Sequence, residues 1–221
     1  MDRIIEENIR RNAILDAPYN PLIGEGSPIE RQLFRLSDIE GDLLLPIPML
    51  NIPWIQKLGE CKSLTDYVGR EKKNIPVLLN SPDPVSLLQD MFINERLDTD
   101  VEYWCATCAK IKPKKGGEFV WFTLNYPQRL LWKELYDMLI NDLPIFFILL
   151  KSRQFGGSTA IDVFSAYIQA RLETNWNSLI AAHINQGATN IRSMTTNLFK
   201  FYPQSIDQLT LKPFEGTHNI K

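Results

Sequence analysis

A chain of 221 residues, 44% hydrophobic and 23% charged, can bury a core and is too apolar to be mostly disordered. Its formal charge of −2 excludes a protein coated in basic residues, so contact with nucleic acid would have to come from a local patch. The N-terminus "MDRIIEENIRRN" carries both signs of charge and no apolar core, which excludes a secretory signal. The apolar run "LPIFFILL" (143–150) is far shorter than the roughly 20 residues a membrane span needs, and the expectation is a soluble intracellular protein.

Residues 1–83 are rich in Pro and Gly and read as an irregular, partly helical N-terminal region. The segments "APYNPLIGEGSPIERQLFRL" and "LLLPIPMLNIPW" predict extended, turn-punctuated chain rather than long helices. Gly24 and Gly26 have no strand before them and no helix after, and predict a turn. From Asp83 the pattern becomes helical, with Asp83 as N-cap, Pro84 in the first position, and Leu87, Leu88, Met91 and Phe92 at helical spacing. Trp104, Cys105, Cys108 and Ile111 continue that period.

Three cysteines, Cys61, Cys105 and Cys108, give no disulfide framework and suit a reducing compartment. Cys105 and Cys108 are spaced as one half of a zinc site, but no second pair exists; the alternative is two semi-buried side chains one helical turn apart. The stretch "KIKPKKGGEFVWFTL" predicts two short strands joined at Lys115-Gly116-Gly117. Its lysines, Lys110, Lys112, Lys114 and Lys115, suit either a solvated hairpin tip or contact with phosphate backbone.

Further on, "PQRLLWKELYDMLIND" places Leu131, Leu135, Met138 and Leu139 on one helical stripe. "LPIFFILL" predicts a buried strand, "STAIDVFSAYIQARLE" a helix, "WNSLIAAH" a second strand and "NQGATNIRSMTTNLFKFY" a second helix. That order implies an α/β fold with a parallel sheet and crossover helices, in which a loop after a strand binds a ligand.

The loop after the first of these strands is "KSRQFGGST", residues 151–159. Against the phosphate-binding pattern G-x-x-x-x-G-K-[ST], Gly156 and Ser158 match, Lys151 stands in the first glycine position and Gly157 in the lysine position. Backbone N–H groups at a glycine-rich helix start wrap a phosphate, and a cation and a hydroxyl complete the site. Lys151 or Arg153 could supply the displaced cation, with Gly157 leaving room for it to fold back. Ser158 would ligate Mg²⁺ and Thr159 would bond a further phosphate oxygen. The rival reading is an ordinary Gly-Gly loop. Upstream, Gln128 has the amide geometry to read adenine, and Phe122 or Tyr126 could lie against the base; the alternative is a helix start with Pro127 in its first turn.

Taken together, "FTLNYPQRLLWKEL" and "KSRQFGGST" resemble the adenine-binding segment and the variant Walker A of the large subunit of tailed-phage terminases, the ATPase motors that package DNA. The likeness covers about residues 84–200, with "YWCATCAKIKPKKGGEFVWFTLNYPQ" similar to the helix and hairpin before the adenine segment. It implies a P-loop NTPase core, with its N-terminal part in residues 84–221, an adenine segment at 122–134 and a phosphate loop at 151–159. Gln128, Lys151, Arg153, Gln154, Gly156, Gly157, Ser158 and Thr159 would bind nucleotide, with ATP and Mg²⁺ as cofactors. Implied partners are double-stranded phage DNA, the portal protein, the small terminase subunit and further copies in a ring, in the cytoplasm of an infected bacterial host at the procapsid portal.

The sequence departs from that pattern downstream. No apolar strand ending in Asp-Glu follows Thr159: "SLIAAH" ends in His183, and Asp207 has no acidic neighbour. The carboxylate cluster of a nuclease is also missing, so the expectation is the N-terminal part of a longer polypeptide that binds ATP and hydrolyses little by itself. Two other readings remain open, a non-enzymatic DNA- or capsid-binding assembly module with a structural loop, and a helicase-like ATPase.

Overall fold

The computed structural model describes residues 2–15, 18–39, 41–113, 116–150, 155–173 and 185–203. It divides into two compact units, Met1–Tyr103 with Asn125–Ile148, and Trp104–Leu124 with Leu149–Lys221.

In the first unit, helix α1 (Asp2–Leu15) precedes a tight turn closed by an antiparallel bridge between Asn20 and Glu25. Gly24 and Gly26 have φ of +81° and +69°, and a Cβ on them would fall 2.1 Å from the Leu44 carbonyl oxygen and 2.0 Å from that of Pro18. The turn expected from the sequence is therefore also a close packing of backbone on backbone. Strands β1 (Arg31–Phe34) and β2 (Leu43–Pro46) pair antiparallel, with Phe34 opposite Leu43.

The chain beyond β2 departs from the extended reading. Pro48, Pro53 and Pro76 each sit at the start of a short helix: α2 (Ile47–Leu50), α3 (Pro53–Gly59) and α5 (Pro76–Leu79). Proline lacks an N–H that the first turn would leave unpaired anyway, and its fixed φ suits a helix start, so this proline density punctuates helices instead of preventing them. Helix α4 (Leu64–Glu71) is capped by the Ser63 side chain, which accepts from the Asp66 N–H.

Helix α6 (Pro84–Thr99) begins as the sequence indicates, with the Asp83 side chain accepting from the Ser86 N–H. It packs on α2, α4 and α5. Leu45, Met49, Ile55, Leu58, Leu78 and Leu88 are wholly buried, and Phe92 stacks on Phe34 with ring centroids 5.6 Å apart. Each such side chain contributes roughly 1.5 to 3 kcal/mol of transfer free energy. The helical period continues through Asp100 only as a new helix, α7 (Val101–Cys108), and Ile111 falls in a strand.

Helix α8 (Tyr126–Ile140) buries Leu131, Trp132, Leu135 and Tyr136, and leaves Met138 and Leu139 half-buried. It ends in a Schellman motif: Asp142 has φ +52°, the Leu143 N–H bonds the Met138 carbonyl and the Asp142 N–H bonds that of Leu139.

In the second unit, β3 (Lys110–Ile111) and β4 (Val120–Trp121) form the expected hairpin, with Gly116 and Gly117 at φ of +79° and +108°. Trp104 is buried between Tyr167 and Tyr202, and its indole N–H donates to the Tyr202 hydroxyl at 3.1 Å. Helix α9 (Gly157–Tyr167) continues into a π-helical turn (Ile168–Leu172) and packs on α10 (Asn185–Lys200). The two helices run in the same direction. Thr159 meets Met194, Asp162 meets Thr195, and farther along Tyr167 and Tyr202 flank the same indole.

The fold is mixed α/β, and the two sheets among the described residues are both small and antiparallel. The predicted strand at 143–150 is not formed. The run carries no ladder among the described residues, and Phe146, Ile148 and Leu150 are 87%, 91% and 95% exposed. A run that is apolar on both faces becomes a central strand only when neighbours cover both its faces, and the described residues do not supply that cover. The predicted strand "WNSLIAAH" lies outside the described residues. Among those described, no helix is long and apolar enough to cross a membrane.

Candidate nucleotide-binding loop and a buried charge cluster

Helix α9 opens on Gly156 in the left-handed region, φ +80° and ψ +23°, and has no side-chain cap hydrogen bond. A non-glycine residue is strained at that φ, so the glycine fixes the abrupt entry into the helix. Gly157 is buried, Ser158 is exposed and Thr159 is half-buried. The start of a helix presents amide N–H groups and a partial positive charge, and here an exposed hydroxyl sits beside it.

The space above Gly157 is not held open for a cation. A Cβ built there would lie 2.6 Å from Cζ and 2.8 Å from Cε1 of Phe155, so the Phe155 ring occupies it. The Thr159 hydroxyl donates to the Met194 sulfur at 3.4 Å, a weak bond to α10 instead of one turned toward the helix start. Lys151, Arg153 and Gln154 lie outside the described residues.

One turn along α9, Asp162 is 2% exposed, and its Oδ2 has no hydrogen-bond partner. Burial raises its pKa from 3.8 to about 6, against a smaller opposing effect of the Thr195 hydrogen bond. The geometry agrees with that direction. Thr195 Oγ1 lies 2.7 Å from Asp162 Oδ1 and 3.1 Å from the Ile191 carbonyl, yet it has one proton to give. Both contacts are satisfied together when Asp162 is protonated and donates to Thr195 while Thr195 donates to Ile191. This carboxyl is an interhelical hydrogen-bonding group between α9 and α10.

Gln128 is 4% exposed and forms a capping box at the start of α8. Its Oε1 accepts from the Asn125 N–H at 3.0 Å, and the Asn125 side chain accepts from the Gln128 N–H. Reading adenine through both amide atoms would require Oε1 to leave this bond. Tyr126 and Gln128 belong to the first unit, and Phe122 and the loop residues to the second. The Tyr126 ring has the Arg129 guanidinium 5.3 Å from its centroid, and Phe122 is buried, with its carbonyl accepting from the Cys105 thiol. Cys105 and Cys108 are both buried in α7, and among the described residues no group of three or more His, Cys, Asp or Glu could hold a metal ion.

The densest charge in the first unit was not legible in the sequence. Arg31 makes a bidentate pair with Asp100 (2.7 Å for each bond) and a further bond of 2.9 Å to Glu102, and all three side chains are at most 4% exposed. Arg96 stands 3.4 Å from Asp100 and 3.9 Å over the Tyr103 ring. Arg129 donates to the Gly26 carbonyl at 2.6 Å and lies over Tyr19, tying α8 to the N-terminal turn.

Burial opposes the charge on Arg31, but Asp100 and Glu102 outweigh it and raise its pKa. Burial likewise pushes the Glu102 carboxyl up, with Arg31 opposing, and its Oε1 has no hydrogen-bond partner. The fork of the guanidinium is spent on Asp100, and Glu102 takes a single further bond. This cluster is built to hold the turn, β1 and α6 together, and it leaves no face for a ligand.

A cleft of about 420 Å³ in the same unit is lined by Glu30, Asn51, Tyr136 and Asp137 among others, and its two carboxylates make it a poor seat for phosphate. None of the residues singled out in the sequence lines it. No family model, curated protein or solved structure matches this chain.

Proposed function

We propose that the chain is the ATP-binding part of a DNA-packaging motor of the terminase large-subunit type. The observation that carries this reading is the start of α9, where a left-handed Gly156, a buried Gly157 and an exposed Ser158 open a helix without a side-chain cap. A phosphate would take the helix start, Lys151 or Arg153 its remaining charge, and Ser158 the Mg²⁺ that ATP brings. ATP and Mg²⁺ supply the phosphoryl group and its charge neutralisation. Phe155 would have to swing aside for a cation over Gly157, and Gln128 would have to open its capping box to read adenine.

Helices α9 and α10 run in the same direction, as successive helices on one face of a parallel sheet do, and this supports the reading.

Double-stranded DNA, the portal protein, the small subunit and other copies in a ring are the partners this proposal carries, at the procapsid in an infected host. The hydrolytic Asp-Glu pair is not among these 221 residues, so the proposal assigns them nucleotide binding ahead of turnover. Ser158→Ala should weaken binding of a fluorescent ATP analogue roughly tenfold in Mg²⁺ and leave binding in EDTA unchanged. Equal affinity of variant and parent in Mg²⁺ would remove Ser158 from the metal.

A further inference from the structure

The β3–β4 hairpin has an outer surface that the nucleotide reading does not use. Both residues of β4 face solvent, Val120 at 48% and Trp121 at 45% exposure, whereas Trp104 and Trp132 are buried. A half-exposed indole on a two-residue strand is not part of a core. The Lys110 ammonium, directly across the ladder, sits 4.3 Å from the centroid of the Trp121 ring. Lys112 is exposed beyond the end of β3.

Helix α10 brings a further cation to the same hairpin. The Phe201 ring packs on Phe119 with centroids 4.3 Å apart, and the exposed Lys200 extends its ammonium to 5.6 Å from Phe201. The only acid in the hairpin is Glu118. In a chain with a net charge of −2, Lys110 thus stands against the exposed Trp121 and Lys200 against the Phe201–Phe119 pair of the same hairpin.

We propose that Lys110, Lys112, Trp121 and Lys200 form a surface that binds single-stranded nucleic acid, with the indole stacking on a base and the ammonium groups meeting phosphates. Charge complementarity selects the polyanion, and the indole selects the unpaired strand, since bases inside a duplex offer no open face. A merely solvated tip would account for the lysines but not for an indole held outward beneath an ammonium. The inference goes beyond the proposed function, whose nucleic-acid partner is a duplex; it does not depend on the phosphate loop, and its test contains no ATP.

Fluorescence anisotropy of a labelled oligothymidylate of about 20 nucleotides, titrated with the full chain at about 50 mM salt, reads the surface directly. Saturable binding is expected, with a log–log salt slope of about −2 for three phosphate contacts on a single strand. Trp121→Ala should weaken it roughly tenfold or more, Trp121→Phe should retain most of it, and Lys110→Ala with Lys112→Ala should flatten the slope. An unchanged far-ultraviolet circular dichroism spectrum would show that the variants fold. Absence of binding at low salt would overturn the proposal. So would equal affinity of Trp121→Ala and parent, or a duplex that binds as tightly and ignores Trp121.

Discussion

Replacing Arg31 by Ala is expected to destabilise the first unit by about 3 to 5 kcal/mol, a large part of the stability of an ordinary domain. The substitution removes three bonds to carboxylates and one to the Leu44 carbonyl, and leaves Asp100 and Glu102 buried at 0% side-chain exposure, with Arg96, 3.4 Å from Asp100, as the remaining cation of the cluster. Most of that cost is the penalty of the stranded carboxylates and not the intrinsic strength of the pair. Replacing Arg31, Asp100 and Glu102 together by apolar residues of similar volume should therefore cost much less than Arg31→Ala alone. Urea unfolding of the full chain, followed by tryptophan fluorescence, distinguishes the cases. A loss under about 1 kcal/mol for Arg31→Ala would mean that water reaches the cluster.

Asp162→Asn should remove a pH dependence from the second unit. The carboxyl has a folded pKa of about 6 against 3.8 for the ordinary group, so the folded state holds its proton more tightly. The sign follows: the contribution to stability is fully present below pH 3.8 and is lost as pH rises through about 6. The shift of about two units corresponds to roughly 2 to 3 kcal/mol lost across that window. An asparagine amide can donate to Thr195 as the protonated acid does, so the variant should be more stable than the parent at pH 8 and close to it at pH 4. Thermal unfolding of both proteins at a series of pH values measures this. Parallel curves for variant and parent would show that Asp162 is already ionised in its buried site.

Local signals in this chain were readable because they act over a few residues. Asp83 and Pro84 start α6, and Gly116 and Gly117 turn the hairpin, since a cap or a positive φ is chosen by the residues that form it. Pro127 and Gln128 start α8 in the same way, and the structure puts Gln128 to that local use beside a cap, Asn125, that was not singled out.

What was not readable is long-range. Arg31 and Asp100 are 69 positions apart, and no periodicity announces that a strand arginine will be spent on the C-cap of a helix. Composition also misled in the proline-rich part, where the same residues that break long helices begin short ones. "LPIFFILL" shows the third limit. Its letters specify a strand only in the presence of neighbours, and neighbours are a property of the whole fold. Phe155 over Gly157 is a packing detail of the same kind: the glycine was visible, but what fills the space beside it was not.

Calorimetric titration of the full chain with Mg-ATP tests the central claim most directly. The proposed function predicts saturable binding at one site in the micromolar to millimolar range, abolished when Lys151 and Arg153 are both replaced by Ala. No binding heat at millimolar Mg-ATP, or binding unchanged in that variant, would contradict the assignment of 151–159 as a nucleotide loop.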